Sequence, residues 1–519
     1  MAGAGSRRGR PKRGAVIDLG SNALRLQIVE RIEGGEPVVL TRHRAPVRLG
    51  KDVYAEGRIG PETLDAAEAA LRRFADLCEQ YGAQRIRAVA TAALREAANR
   101  DAVVERLSAV SPVPIEVITG TEEAWLLARA VETRVDLAQG RSLLLDLGGG
   151  SVEAILVEDG RAVAADSYPL GAIRLLEAAR RQSGSAHGAT FKALLEQHAG
   201  ACDHSIAERM AARPLDRLVA CGGSVEVLAD LAKEAGRLGS VEGLDALECE
   251  DLERWILELE DLSPEQRVAR FGMLPDRADV ILPAAVVVRH LAELAGARRV
   301  LVPRVGLRDG LERDVMAGPE AFAERRETLL ASAGALARRY HCDLAHGERV
   351  RVHAVALFDA TASLHGRGPE DRALLEAAAL LHDAGRFIAS ESHQVHSAYL
   401  IAASELVGVS SAERDRIAQV AGYHRGPHPS EDDAGYARLD SGERAGVCVL
   451  AALLRLADAL DRQHRGAVGD VAVRVEGGPG RVTLVLHGAQ PGSLELHAVR
   501  DKGRLFEEVF GVSLGVETA

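Results

Sequence analysis

The stretch LLLDLGGGSVEAILVE, residues 143–158, decides how this chain is read. An apolar run ends in Asp146, three glycines follow, and Ser151 and Glu153 lead into a second apolar run with a period of two. That pattern predicts strand, tight turn, strand. Glycine lets backbone amides approach an anion closely, and successive amides in a turn form a concave donor nest. Gly148, Gly149, Gly150 and Ser151 are therefore candidates to hold a phosphate. Asp146 and Glu153, flanking the nest, are candidates to hold a hard cation such as Mg²⁺ or Mn²⁺. A glycine-rich hairpin with no ligand would read the same way if it stood alone.

It has a twin. Residues 16–30, VIDLGSNALRLQIVE, align with residues 144–158 without a gap, so that Asp18 falls on Asp146 and Gly20 on Gly148. Two strand, Asp-turn, strand units at such a separation predict a duplicated domain whose loops face one cleft. A dinucleotide fold or a P-loop would need the glycine loop to open a helix, whereas a strand follows each loop here, and GxxxxGK[ST] is absent from the sequence.

Composition bounds the rest. A chain of 519 residues with 47% apolar and 27% charged residues reads as several globular, helix-rich domains. Aromatics make up 3%, which argues against base-stacking platforms, and the net charge of −12 argues against general or specific nucleic-acid binding. A polyanionic ligand would need local arginines. Six scattered cysteines without CxxC spacing indicate neither a zinc ribbon nor a disulfide framework, and fit reducing cytoplasm. No apolar run approaches the ~20 residues of a membrane span. Residues 1–13 are basic but lack the apolar core of a signal peptide, and read as a disordered tail.

Between the loops, strands and helices alternate: strands within 37–49, a helix over 61–81, a strand over 86–91 with Arg95 just beyond it, and a strand over 113–118. A helix then opens at TGTEEA with Thr119 or Thr121 as cap and Glu122 and Glu123 in its first turn. After residue 158 comes a helical stretch over 171–210. A strand over 218–220 then runs into Cys221, Gly222, Gly223 and Ser224, a second candidate anion site at a helix start, and 298–303 is a further strand. From Arg325 to about Gln463 the texture is almost purely helical, and 471–486 and 494–499 alternate as strands of a small closing unit.

The ordered motifs IDLGSNALR, VATAALREAANR, VITGTEEAWLL, LDLGGGSVE, ACGGSVEVLA, GMLPDRADVILPA and VGLRDGL span about residues 14–316. Together they resemble the exopolyphosphatase and guanosine pentaphosphate phosphohydrolase family of the actin-like superfamily. The resemblance implies an α/β, duplicated, actin-like (ribonuclease H-like) two-lobed module with lobes over 14–135 and 136–318. It also implies an all-α HD-like domain over 319–466 and a small α+β domain over 467–519. The implied activity is stepwise hydrolysis of terminal phosphate from inorganic polyphosphate, with guanosine pentaphosphate, or guanosine tetraphosphate, as the alternative ligand at the same cleft. A sensor that binds these without turnover is a reading of another class. By motif, Glu123 matches the base that activates water, Asp146 and Glu153 the Mg²⁺ ligands, and Ser21, Asn22, Arg95 and residues 148–151 the phosphate contacts. Position in the family gives Gly222, Gly223 and Ser224 a phosphate or nucleotide role as well. Thr119 and Val152 stand where the family usually has Ser and Thr. Family analogy also implies a homodimer with a basic channel.

In the helical region His346, His382-Asp383 and Asp458 reproduce the H…HD…D order of metal-dependent phosphohydrolases, with His393, His396 and His424 as further ligands of two-metal versions. Imidazole and carboxylate suit a transition metal.

Overall fold

The structure is a computed structural model, and it describes residues 12–32, 37–204, 206, 214–316, 319–476, 480–488, 490 and 492–519. The chain divides into two compact units, Met1–Ala321 and Phe322–Ala519. The basic tail expected over 1–13 falls largely outside the described residues, and Lys12 and Arg13 already belong to the first strand.

The first unit contains two sheets. The amino-terminal sheet is built from β1 (Lys12–Leu19), β2 (Leu24–Arg31), β3 (Val38–Ala45), β4 (Arg85–Ala90) and β5 (Ile115–Val117), in the order β3-β2-β1-β4-β5. The second contains β6 (Arg141–Leu147), β7 (Val152–Glu158), β8 (Arg161–Tyr168), β9 (Arg217–Cys221), β10 (Gly239–Val241), β11 (Leu244–Glu248) and β12 (Arg299–Val302). Its order is β10-β11-β12-β9-β6-β7-β8. Read from β8 to β12, the second sheet repeats the first: two antiparallel hairpin partners, then two parallel strands. The duplication expected from the two aligned hairpins therefore extends to the whole five-strand order. The antiparallel pair β10–β11 is added only to the second copy, and periodicity alone gave no sign of it.

Local sequence explains the helices that carry the site. Pro61–Tyr81 starts at a proline after Gly60, turns Leu64, Ala67, Leu71 and Phe74 inward, and stops at Gly82 in the left-handed region, φ 64°. Gly120–Val131 is capped by Thr119, whose Oγ1 accepts the Glu122 amide at 3.1 Å. The third glycine segment opens Gly223–Glu234, and Gly222, at φ 109°, makes a turn that a side chain would strain. One continuous apolar core fills the space around both sheets.

The second unit is built on the helices Leu344–Ala360, Pro369–Leu381, His393–Ala402, Ser411–Gly422 and Ser441–Ala459. A three-stranded sheet follows, with β13 (Asp470–Glu476), β14 (Arg481–His487) and β15 (Ser513–Thr518) in sequence order. Two expectations change here. Residues 494–499 are not a strand but lie in the helix Leu494–Lys502, where Leu496 and Val499, three apart, are buried while Leu494 is exposed. The closing segment is also not an independent domain: Val471, Val482, Leu484, Val499 and Phe506 share one core with Leu375, Leu450 and Leu454 of the helices.

Candidate active site

The glycine loop closes the β6–β7 hairpin, with the Gly148 amide donating to Ser151 O at 3.0 Å. Gly148 O accepts from the Ala172 amide at 3.1 Å and Gly149 O from the Ile173 amide at 2.9 Å. Gly150 O accepts from Arg174 Nε at 2.7 Å. The loop's acceptors are thus spent on the helix Ala172–Ser183, and the Gly149 and Gly150 amides find no intramolecular acceptor among the described residues. An anion nest has this arrangement. Two close approaches require glycine: a Cβ on Gly150 would collide with Tyr54 Oη, and one on Gly171 would collide with the Gly150 backbone.

Asp146 and Glu153 face each other across the hairpin register. Glu153 is fully buried; its Oε1 accepts from Ser151 Oγ at 2.5 Å and Ser167 Oγ at 2.9 Å, while its buried Oε2 has no hydrogen-bond partner. Burial, with Glu153 and Asp18 nearby, pushes the Asp146 carboxyl up to about 7. Burial raises Glu153 too, against the pull of the Ser151 hydroxyl and Arg95. The twin hairpin supplies the contrast. There the position equivalent to Glu153 is Arg25, which pairs with Asp18 at 3.2 Å. The first loop carries its own cation, whereas the second presents two crowded carboxylates and an orphaned oxygen. That oxygen-rich set fits a hard divalent cation.

Glu123 lines the same cleft from the start of Gly120–Val131. Burial first, then Glu153, raise its carboxyl well above the usual range. Its neighbour Glu122 instead accepts from Arg87 Nη2 at 2.6 Å and belongs to the frame. Arg95, expected as a phosphate contact, is not among the residues that line the cleft. Its guanidinium donates to Ile118 O at 2.8 Å and spans the two acids, 3.5 Å from Glu123 Oε2 and 4.0 Å from Glu153 Oε1.

The cleft has a volume of about 500 Å³ and draws its lining from both sheets. Ser21 and Asn22 line it; Ser21 Oγ and Tyr54 Oη share a hydrogen bond at 3.2 Å, and Asn22 Nδ2 donates to Asp276 O at 3.2 Å. Gly222, Gly223 and Ser224 line the opposite wall; a Cβ on Gly223 would lie 2.5 Å from Arg277 Nη2. The sequence reading assigned no role to Arg25, Arg42, Arg44, Arg277, Arg304 and Arg308, all of which line the cleft. Burial lowers Arg277 to about 10, so it remains cationic at neutral pH. The signal for Arg277 and Arg308 was their place inside the quoted motifs GMLPDRADVILPA and VGLRDGL. Arg44 pairs with Asp276, and Arg48 with Asp279 at 2.6 Å, so these cations also tie β3 and its exit to the distant 272–284 segment.

In the second unit His346, His382, Asp383 and Asp458 come together as expected, and His393 and His424 join them. His396 does not belong to any of the clustered groups among the described residues.

The sequence pattern of the Ppx/GppA phosphatase family matches residues 28–317, more than half of the chain, and that of Ppx/GppA phosphatase domain III matches residues 330–488. A guanosine-5'-triphosphate,3'-diphosphate pyrophosphatase of Vibrio vulnificus is 26% identical over 475 residues, covering 89% of this chain and 90% of that protein. The Aeromonas hydrophila protein of the same name is 28% identical, with 77% of this chain and 78% of that protein covered. Among solved structures, an exopolyphosphatase from Cytophaga hutchinsonii is similar with a TM-score of 0.54 and 25% identity, over 59% of this chain and 98% of that one. All six cysteines are free, and no described helix is long and apolar enough to cross a membrane. With its mixed α/β architecture and matched motifs, the chain belongs to the Ppx/GppA phosphatase family and is a hydrolase of phosphoanhydride bonds.

Proposed function

We propose that this chain is an exopolyphosphatase that releases terminal orthophosphate from inorganic polyphosphate in the cleft of its duplicated, actin-like first unit. The observation that carries the reading is the lining of the cleft. Six arginines and the glycine amides face a buried carboxylate group, and among the described lining residues there is no Phe, Tyr or Trp to stack a guanine ring. A chain of phosphates needs cations and amides and no base platform.

In this reading Asp146 and Glu153 would hold Mg²⁺ or Mn²⁺, which supplies charge neutralisation at the terminal phosphate. The Gly149 and Gly150 amides orient that phosphate, and Arg277 and Arg308 hold the preceding units. Glu123 accepts a proton from the attacking water; a new P–O bond forms, the bridging P–O bond breaks, and the shortened chain leaves on its own phosphate oxygen. A carboxyl raised by burial suits a base that must work near neutral pH. Arg95 is a positioning residue whose guanidinium lies between Glu123 and Glu153 and offsets their mutual repulsion.

Guanosine pentaphosphate is the second reading, favoured by the names of the curated relatives. Phosphate release from long-chain polyphosphate and from guanosine pentaphosphate, each with Mg²⁺ and with chelator, separates the two. Metal-dependent turnover on polyphosphate with the higher kcat/KM supports the proposal; higher kcat/KM on the nucleotide overturns it. For the second unit, the proposal is an HD-like helical domain, supported by the convergence of His346, His382, Asp383 and Asp458.

A further inference from the structure

The carbonyls of the glycine loop all meet the start of one helix, Ala172–Ser183. Gly148 O accepts from the Ala172 amide at 3.1 Å, and Gly149 O from the amides of Ile173 at 2.9 Å and Arg174 at 3.1 Å. Gly150 O accepts from Arg174 Nε at 2.7 Å. In a planar trans peptide the carbonyl and the following amide point in opposite directions. Fixing these carbonyls therefore turns the amides of Gly149, Gly150 and Ser151 the other way, and none of the three has an intramolecular acceptor among the described residues.

Two of the carbonyls are held by backbone amides, which any residue but proline supplies. The third is held by a side chain. The direction of the Gly150–Ser151 peptide thus depends on which residue stands at position 174.

Arg174 is itself fixed on several sides. Its Nη2 donates to both oxygens of Glu96, at 2.5 and 2.6 Å, and its Cζ lies 4.3 Å from the centre of the Tyr54 ring. The same helix grips Tyr54 again, because Arg181 Nη2 donates to Tyr54 O at 2.6 Å. A half-exposed arginine–glutamate pair alone contributes little. Here one guanidinium meets a carbonyl, a carboxylate and an aromatic face at once, which a planar fork can do and an ammonium cannot. Arg174 is not among the residues that line the cleft, so it has no direct contact to offer a ligand there.

Glu96 leads to the acids. It ends the short helix Ala92–Glu96, and the residue before it is Arg95, whose guanidinium spans Glu123 and Glu153. Ala92, at the other end of that helix, stands so near the loop that its Cβ would lie 2.8 Å from a Cβ on Gly150. One line of contacts therefore runs from Gly150 O through Arg174 and Glu96 to the helix that carries Arg95. It ties the anion nest, built on the second sheet, to the neighbourhood of Glu123, which follows the last strand of the first.

We propose that Arg174 is a positioning residue for phosphoanhydride hydrolysis: it holds the Gly150–Ser151 peptide with its amide toward the terminal phosphate, and through Glu96 it sets that amide against the helix bearing Arg95. The inference rests on the reading of this cleft as the hydrolytic site, and it applies to whichever phosphoanhydride is cleaved there.

The test compares the full-length wild type with Arg174→Lys, Arg174→Gln and Glu96→Gln on long-chain polyphosphate and on guanosine pentaphosphate with Mg²⁺. Orthophosphate binding is followed in parallel by calorimetry. A donor aimed at charge developing on the reacting group is worth on the order of 10²-fold, so both Arg174 variants are expected to lose about that factor in kcat on the better substrate. KM for the long chain, set by the arginines of the cleft, is expected to change little. Orthophosphate has no further units to engage those arginines, and its binding is expected to weaken by about tenfold in both Arg174 variants. Glu96→Gln should show a smaller loss in kcat, and Arg174→Lys/Glu96→Gln should be no slower than Arg174→Lys, because the pair acts as one unit.

Lysine keeps the charge, so a wild-type kcat in Arg174→Lys would assign Arg174 to the general field and overturn the proposal. A loss confined to KM, or orthophosphate bound equally by wild type and Arg174→Lys, would overturn it too. If the Arg174 variants do not fold, Glu96→Gln decides by the same two readouts, and wild-type values in both would overturn the proposal. A wild type that cleaves neither substrate, yet binds orthophosphate more tightly than Arg174→Lys, would sink the activity proposed above and uphold the hold of Arg174 on the nest.

Discussion

At position 153 the chain has Glu where the duplicated hairpin has Arg25, and this one difference separates a loop whose acid is paired within its hairpin from one that presents two facing carboxylates. Asp146 rises from 3.8 to about 7 because burial and Glu153 favour its proton. A carboxyl raised in the folded state contributes stability that is complete below about 4 and lost as pH climbs through about 7. In the proposed site Mg²⁺ would replace the proton as the neutralising partner. The rise in unfolding midpoint on saturation with Mg²⁺ is therefore expected to be larger at pH 8 than at pH 5.5, and Asp146→Asn is expected to abolish the difference, as read by calorimetry. Asp146 and Glu153 were legible in the sequence because a strand fixes which side its residues face. Arg95 was not, because the destination of a long guanidinium depends on Glu123 and Glu153, which arrive from other elements. Arg277 and Arg308 were hidden for the same reason: more than a hundred residues separate them from the glycine loop.

The elements hold the site through close approaches that only glycine permits. Gly150 abuts Tyr54, whose hydroxyl lies 3.2 Å from Ser21 Oγ, so the second loop is fitted against the first. Gly150→Ala should cost about 1–3 kcal/mol by overpacking and lower turnover with it. Tyr54→Phe removes the nearest of the three atoms that the new methyl meets, leaving the ring Cζ and Ala92 Cβ, so the double variant is expected to recover part of the lost midpoint in thermal unfolding. No recovery would mean that the strain arises elsewhere. Strand and helix periods were readable where the pattern was long, as in Pro61–Tyr81, which forms over the span that the periodicity predicts. They misled at residues 494–499, where six residues alternate as LELHAV but the buried pair is Leu496 and Val499. Glu495 is buried too, taking Gln463 Nε2 at 3.0 Å, a contact no local pattern announces.

For the whole molecule, the net charge of −12 opposes a polyanion, and the arginine-lined cleft must overcome that field locally. Salt screens both, but the contacts within the cleft are multiple and short-ranged. The apparent KM for long polyphosphate is expected to rise on the order of tenfold between about 50 and about 200 mM salt, with kcat nearly constant. A KM unaffected by salt would contradict a cleft that binds through its arginines. The duplicated architecture was visible from two aligned hairpins, since a repeat brings its topology with it. The fusion of the closing sheet with the helical core was not, because Val482 and Phe506 carry no mark of the surface they will meet. Glu123 is proposed to activate water for attack on a terminal phosphoanhydride held in this cleft. Single-turnover phosphate release from polyphosphate by wild type and Glu123→Ala, with equilibrium binding measured in parallel, tests it most directly. The account predicts a rate lowered by about 10²–10⁴-fold with binding retained; equal rates in the two proteins would contradict it.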